Sequence, residues 1–401
     1  MAVSPARRAA YEVLLRVFEQ EAYADRVFRT AANGLDERER AFAQRLAYGS
    51  VQRVRTLDHA IETLGKRPVR KLDPPVRAAL RLGAYQLAYT DTAPHAAANE
   101  SVELVRRARL ERAVPFTNAV MRRLAQGIHP LLDSLPDGPL KESYPDWISE
   151  TFTRDLGPQA AIALMRAMNE PLETVVRLVR GDAPGEPTDI PGAYRVQRVD
   201  DLAVADGRIW PQSRGSQLAG LVVGSHDGDR VLDLCAAPGG KTSQLRGAVT
   251  AVEIDPNRSS ELRANLAALG VTNVTVVEAD GRALPPELDG FDRALVDAPC
   301  SGLGVLAQRP DLRWRASPLP ELQLALLRAA AERVKPGGTV VYSVCTINAE
   351  ENEAIVDASG LEAVPLGEEW PQFAHPRRPE FLLTLPHVHG TSGFFVGRLR
   401  V

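Results

Sequence analysis

The 401-residue chain has only three cysteines, too few for a disulfide framework. It also has no CxxC pair of the kind that holds structural zinc or runs dithiol exchange. No apolar run approaches the roughly 20 residues that span a bilayer. The opening stretch, MAVSPARRAAYEVLLRVFEQ, sets charge into its apolar periodicity and lacks a clean signal-peptide core. These absences lead us to expect a cytoplasmic protein with no membrane association. Two nucleotide signatures are missing as well: the GxxxxGK[ST] of a phosphate-cradling P-loop and the GxGxxG of dinucleotide folds.

What is present is an ordinary globular composition, 44% hydrophobic and 25% charged, on a chain long enough for two or three domains. The formal net charge of -3 hides an asymmetry: residues 1–127 carry 22 Lys and Arg against 14 Asp and Glu, and the remainder carries 26 against 37. A basic module joined to an acidic one fits a polyanion-binding arm on a catalytic body. Solvated Arg-rich helix faces would give the same count.

Periodicity divides the chain. Ala10, Val13, Leu14, Val17 and Phe18 recur at helical spacing, as do Leu57, Ile61 and Leu64, and then Leu72, Val76, Leu80 and Leu87. Thr117 to Ala125 reads as a closing helix, with Gly127 and Pro130 beyond it as stop signals. Residues 1–127 are therefore expected to form an all-α domain. Residues 128–145, rich in Pro, Asp, Leu and Gly, read as a linker. It opens a small α+β subdomain that completes a 128–215 segment. From Ser216 strands alternate with helices: strands at 230–236, 248–255, 271–280, 291–299 and 338–346, with helices at 257–270 and 320–335. That rhythm predicts an α/β Rossmann-like domain over 216–401, with a mostly parallel sheet and its ligands at the carboxyl ends of the strands.

At those ends lie the candidate site residues. The first strand runs into a loop, Cys235, Ala236, Ala237, Pro238, Gly239, Gly240 and Lys241, whose glycines permit close backbone approach to a ligand. Glu253, Asp280 and Asp297 end or follow later strands. An acidic side chain after the second strand suits ribose hydroxyls, which selects Glu253 with Asp255 as a rival. Cys300 and Cys345 each follow a strand of the same sheet, so both thiols are expected near one substrate. Cysteine pairs nucleophilicity with leaving-group ability. A thiolate adding to carbon 6 of cytosine makes carbon 5 enamine-like, and a nearby acid or thiol can then assist proton transfer.

The stretches LDLCAAPGGKT (232–242), AVEIDPNR (251–258), EADGR (278–282), VDAPCSGLGVLAQRPDLRW (296–314), YSVCTINAEENE (342–353) and SGFFVGRLR (392–400) together resemble the bacterial 16S ribosomal RNA 5-cytosine methyltransferases of the Sun/Fmu, NOL1/NOP2 family. The N-terminal stretches ARRAAYEVLLRV and NAVMRRL resemble the NusB-like RNA-binding domain of the bacterial subgroup, and YPDWI and WPQSRGSQLAG fit the segments between. The resemblance implies S-adenosylmethionine as methyl donor, S-adenosylhomocysteine as its product, and 16S ribosomal RNA as substrate near bacterial position 967. It implies Cys345 as the nucleophile, Cys300 as the cysteine that aids product release, and Asp297 near the methyl donor and target base. By the same likeness, residues 235–241 surround the methionine part of the donor, Glu253 stands where members often carry Asp at the ribose, and Asp280 lies near the adenine. A monomer that requires no metal is expected. The competing readings are the same chemistry on transfer RNA or 23S ribosomal RNA, a non-catalytic RNA-binding factor, and a protein or small-molecule methyltransferase, which the two cysteines disfavour.

Overall fold

The computed structural model describes residues 3–401, which fall into two units, residues 3–170 with Leu306–Arg315, and Pro171–Val305 with Ala316–Val401. The first unit is helical. It runs α1 (Pro5–Glu19), α2 (Ala24–Ala31), α3 (Glu37–Gln52), α4 (Val54–Gly65), α5 (Pro74–Tyr89), α6 (Pro94–Arg107), α7 (Val114–Asp133), α8 (Pro139–Glu142), α9 (Asp146–Leu156) and α10 (Pro158–Ala167). Sequence dictates their starts. Ser4 caps α1 by accepting from the Arg7 amide, Asp36 caps α3 by accepting from the Glu39 amide, and prolines open α1, α5 and α6. Helix α5 is the hub, packed against α1, α3, α4, α6 and α7, and it is buried at every position from Ala78 to Leu87.

Two expectations need correction here. Helix α7 does not stop near Ala125; it continues through Gly127 and Pro130 to Asp133. Gly127 is a contact position rather than a stop, because a Cβ there would lie 3.2 Å from Leu64 on α4, and one at Gly65 would lie 3.3 Å from Val120 on α7. Residues 128–145 are accordingly not a free linker. They finish α7, form α8, and bury Glu142, Ser143 and Tyr144.

The short segment Leu306–Arg315 belongs to this helical unit although its neighbours in sequence do not. Arg313 is completely buried, donates to Asn169 Oδ1 at 2.7 Å and the Met168 carbonyl at 2.9 Å, and stacks 4.0 Å over the Tyr144 ring. Trp314 donates its indole N–H to the Val51 carbonyl at 2.7 Å.

The second unit holds two sheets. The smaller is antiparallel, built from β1 (Val175–Leu178), β2 (Glu186–Pro187), β3 (Ala193–Arg195) and β4 (Ile209–Pro211) in the order β2-β3-β1-β4. The larger comprises β5 (Arg230–Leu234), β6 (Ala248–Glu253), β7 (Val274–Glu278), β8 (Phe291–Asp297), β9 (Val334–Val344), β10 (Glu362–Val364), β11 (Leu382–Thr384) and β12 (Phe394–Arg400). Its order is β10-β12-β9-β8-β5-β6-β7, with β11 also on β12. The five strands from β7 to β9 are parallel, and β12 joins antiparallel to β9. The fold is thus multidomain, an all-α unit plus a Rossmann-like α/β sheet with a small antiparallel module. The order reverses around β5 and β8, which is where such sheets open a ligand crevice. Among the described residues no helix is long and apolar enough to cross a membrane.

Candidate active site

The carboxyl end of β5 turns sharply. Cys235 has φ +61° and Gly239 φ +103°, both left-handed, so the chain doubles back within five residues. A Cβ at Gly239 would meet Leu262 at 2.8 Å, and one at Gly240 would meet the Trp210 indole nitrogen at 2.7 Å. Both glycines therefore serve packing as well as ligand access. The small sheet braces the same loop: buried Arg177 donates to Gln212 at 3.1 Å and to Ser243 at 2.5 Å, and Gln212 donates to Gln244 at 2.8 Å. This gives WPQSRGSQ a local role that its sequence does not announce.

Glu253, the last residue of β6, is buried. Its Oε1 accepts from the Asp255 amide at 3.2 Å, and its Oε2 has no hydrogen-bond partner, with the Arg258 guanidinium 3.6 Å away. Asp255 is occupied differently: it caps the helix Pro256–Ala268 by accepting from the Asn257 and Arg258 amides at 2.7 and 3.2 Å. Of the two rivals, Glu253 keeps an acceptor for a ligand hydroxyl. Asp280, beyond β7, accepts from the Arg282 amide and guanidinium, and these hydrogen bonds hold its carboxyl below the usual range.

Asp233 was not among the expected site residues, yet it is a fully buried carboxyl inside β5. Thr242 donates to its Oδ2 at 2.7 Å, its Oδ1 has no partner, and burial pushes it up to about 7. The signal was available in LDL, since an acid between two leucines of a buried strand has to be explained.

On β8 and β9 the groups interlock. Asp297 accepts from Lys241 Nζ at 2.8 Å through Oδ2 and from Ser343 Oγ at 2.7 Å through Oδ1. Lys241 also lies 4.9 Å over the Phe394 ring. The two thiols expected near one another are neighbours, with Sγ atoms of Cys300 and Cys345 3.4 Å apart. Hydrogen bonding from the Cys300 thiol draws Cys345 below the ordinary thiol range against the effect of burial, and the same bond with burial holds Cys300 well above it. Lys241 favours the Cys345 thiolate, while Asp297 opposes it. The third cysteine differs, because burial pushes Cys235 up to about 12 and leaves it neutral. The site thus offers one ionisable thiol beside one that stays protonated, a carboxylate held by a lysine, and a braced loop with unpaired buried acceptors nearby. Among the described residues no cluster of three or more His, Cys, Asp or Glu is arranged to hold a metal ion.

Comparison with known proteins identifies the family of the whole chain. A family described as 16S rRNA methyltransferase RsmB/F matches residues 221–400, and the NusB family matches residues 4–126. The "Probable ribosomal RNA small subunit methyltransferase B" of Synechocystis sp. is 32% identical, covering 98% of this chain and 99% of its own. The ribosomal RNA small subunit methyltransferase B of Salmonella arizonae is 29% identical over 98% of each. Of solved structures, PH0851 shares the fold over 100% of both chains, with a TM-score of 0.82 and 23% identity. A methyltransferase homolog from Pyrococcus horikoshii, 28% identical with a TM-score of 0.56, covers 65% of this chain and 97% of its own.

Proposed function

The chain belongs to the RsmB/F family of 16S rRNA methyltransferases, and we propose that it transfers a methyl group to carbon 5 of a cytosine in 16S ribosomal RNA through a covalent adduct on Cys345. The observation that carries this reading is the thiol pair, with Cys300 and Cys345 Sγ atoms 3.4 Å apart. Transfer to nitrogen or oxygen needs no such pair.

S-adenosylmethionine, when bound, supplies an electrophilic methyl on its sulfonium. The residues that fit it are the 235–241 loop, Glu253 through its unpaired Oε2, and Asp280. Cys345 attacks carbon 6 as thiolate, and carbon 5 takes the methyl as its bond to the donor sulfur breaks and leaves S-adenosylhomocysteine. A base then accepts the carbon 5 proton, and the freed electron pair expels the Cys345 thiolate from carbon 6 to release 5-methylcytosine. Cys300, beside the reacting sulfur, assists that release. Lys241 holds Asp297 at the same edge. In this reading residues 1–127 supply RNA affinity, the small sheet between β1 and β4 braces the donor loop, and 216–401 carry the chemistry.

The test is bisulfite sequencing of 16S ribosomal RNA incubated with the purified protein and S-adenosylmethionine. A single protected cytosine with the native protein and none with Cys345→Ala supports the reading. Methylation of another base or position, or of transfer RNA alone, overturns it.

A further inference from the structure

Glu351 is fully buried, and the chemistry proposed above makes no use of it. It belongs to the acidic run TINAEENE. Its carboxylate gathers donors from three directions. From the loop after β8, the Ser301 amide donates at 2.9 Å to Oε1, and the Ser301 hydroxyl donates to Oε2. From the loop after β9, Asn348 donates at 3.3 Å. From the helix that follows the β8 loop, Gln323 donates at 2.9 Å and the Leu319 amide at 3.1 Å. Its own carbonyl accepts from the Tyr342 hydroxyl at 2.6 Å, fixing the loop to β9 itself.

Ser301 is next to Cys300, and Thr346 is next to Cys345. Their hydroxyls meet at 2.8 Å, directly over this carboxylate. A completely buried anion with five donors is stable only while those donors stay converged. The two cysteine-bearing loops are thereby tied through one side chain. Its charge disfavours a thiolate on Cys300, while Lys241 favours one on Cys345. The charged and titratable groups facing the thiols are Glu351, Lys241, Asp297 and Tyr342.

We propose that Glu351 is a positioning residue that holds the Cys300 and Cys345 loops in register, so that the two thiols are kept unequal and Cys345 is the sulfur free to attack. The proposal rests on the cysteine reading above for its catalytic meaning, but its physical content is the unequal reactivity of two thiols. Neither RNA nor methyl donor is needed to measure that.

The experiment is pH-dependent alkylation of the full chain by iodoacetamide under reducing conditions, with each cysteine followed by peptide mass spectrometry. In the native protein Cys345 should react at lower pH than Cys300. In Glu351→Gln, which removes the charge at nearly constant shape, the preference should fall by roughly tenfold. Ser301→Ala keeps the carboxylate and deletes one tie. It should lose about threefold of the preference, and it serves where Glu351→Gln does not fold. An unchanged preference in either variant with a native circular dichroism spectrum overturns the proposal. Intact thiol preference together with no cytosine methylation would instead overturn the reading in the preceding section and leave this one standing.

Discussion

Along one sheet edge the two halves are finished differently. Below the crevice, on β5 and β6, the buried carboxyls Asp233 and Glu253 each keep an oxygen without a hydrogen-bond partner. Across it, at the end of β8 and in the loop after β9, Asp297 and Glu351 have both oxygens engaged by protein donors. An unpaired buried acceptor costs on the order of 1–3 kcal/mol, so its persistence marks a place where a partner is meant to arrive. A saturated carboxylate marks groups held in place before any partner does. The first half is arranged to receive a donor molecule, and the second to keep two thiols and a lysine–aspartate pair in fixed relation.

The sharpest way to break this comparison lies on the saturated half. Cys345→Ala should abolish methyl transfer, because no thiolate remains to add to carbon 6. Cys300→Ala should still permit attack but release product slowly, leaving a retarded, proteinase-sensitive protein–RNA band on denaturing gels. Neither Cys345→Ala nor the double variant should show the band. Accumulation in Cys345→Ala would exchange the two roles. Methylation indifferent to both would end the covalent mechanism.

The open half should respond in binding rather than chemistry. Glu253→Gln weakens the acceptor that the ribose hydroxyls would use. A hydrogen bond to a charged group is worth about 1.5–3 kcal/mol, so S-adenosylhomocysteine affinity should fall roughly 10–100-fold by calorimetry. Asp255→Ala should instead lower stability by about 1 kcal/mol through loss of its helix cap, with little change in affinity. Comparable affinity losses in the two would undo the choice between them.

These cases also show what was legible in sequence. The strand rhythm, the two cysteines at strand ends and the basic helical domain could be read because burial and alternation leave period and position in the chain. Asp280 and Asp297 could be placed near strand ends, but not their partners. Gly239 was attributed to ligand approach, whereas its positive φ and its distance to Leu262 require glycine with no ligand present. Gly239→Val is consequently a test of folding as much as of binding. Glu351 was invisible because five donors from separated segments converge on it, and nothing in TINAEENE encodes that convergence. Arg313 is the same kind of case. A buried guanidinium held by Met168 and Asn169, just past α10, looks, in the sequence RPDLRW, like any surface arginine.

A third prediction sharpens the open half through its proton. Asp233 is raised by burial to about 7, so the folded protein holds its proton far more tightly than the unfolded chain does. The stability this contributes is complete below the unfolded carboxyl value near 4, and it is lost as pH rises through about 7. Asp233→Asn stays neutral throughout. Without ligand, its melting temperature should exceed that of the native protein by about 2–4 °C at pH 8, with the difference vanishing toward pH 4.5. A difference independent of pH would mean that Asp233 is not the group responsible.

The smallest effect should come from Asp280, whose position is open to solvent and already shared with Arg282. Its four hydrogen bonds with that residue are local, from two positions along the chain, and hold the carboxylate ionised whether or not a ligand is present. An adenine amino group would compete with the guanidinium for the same oxygens, so the net gain on binding is small. Asp280→Asn should weaken S-adenosylhomocysteine about threefold, in the range of exposed charged pairs. Arg282→Ala removes the competitor and leaves the acceptor free. If Asp280 meets the adenine, affinity in Arg282→Ala should hold or rise while it falls in Asp280→Asn. Equal losses in both would show that the pair acts as one structural turn, and the open half would then end at Glu253.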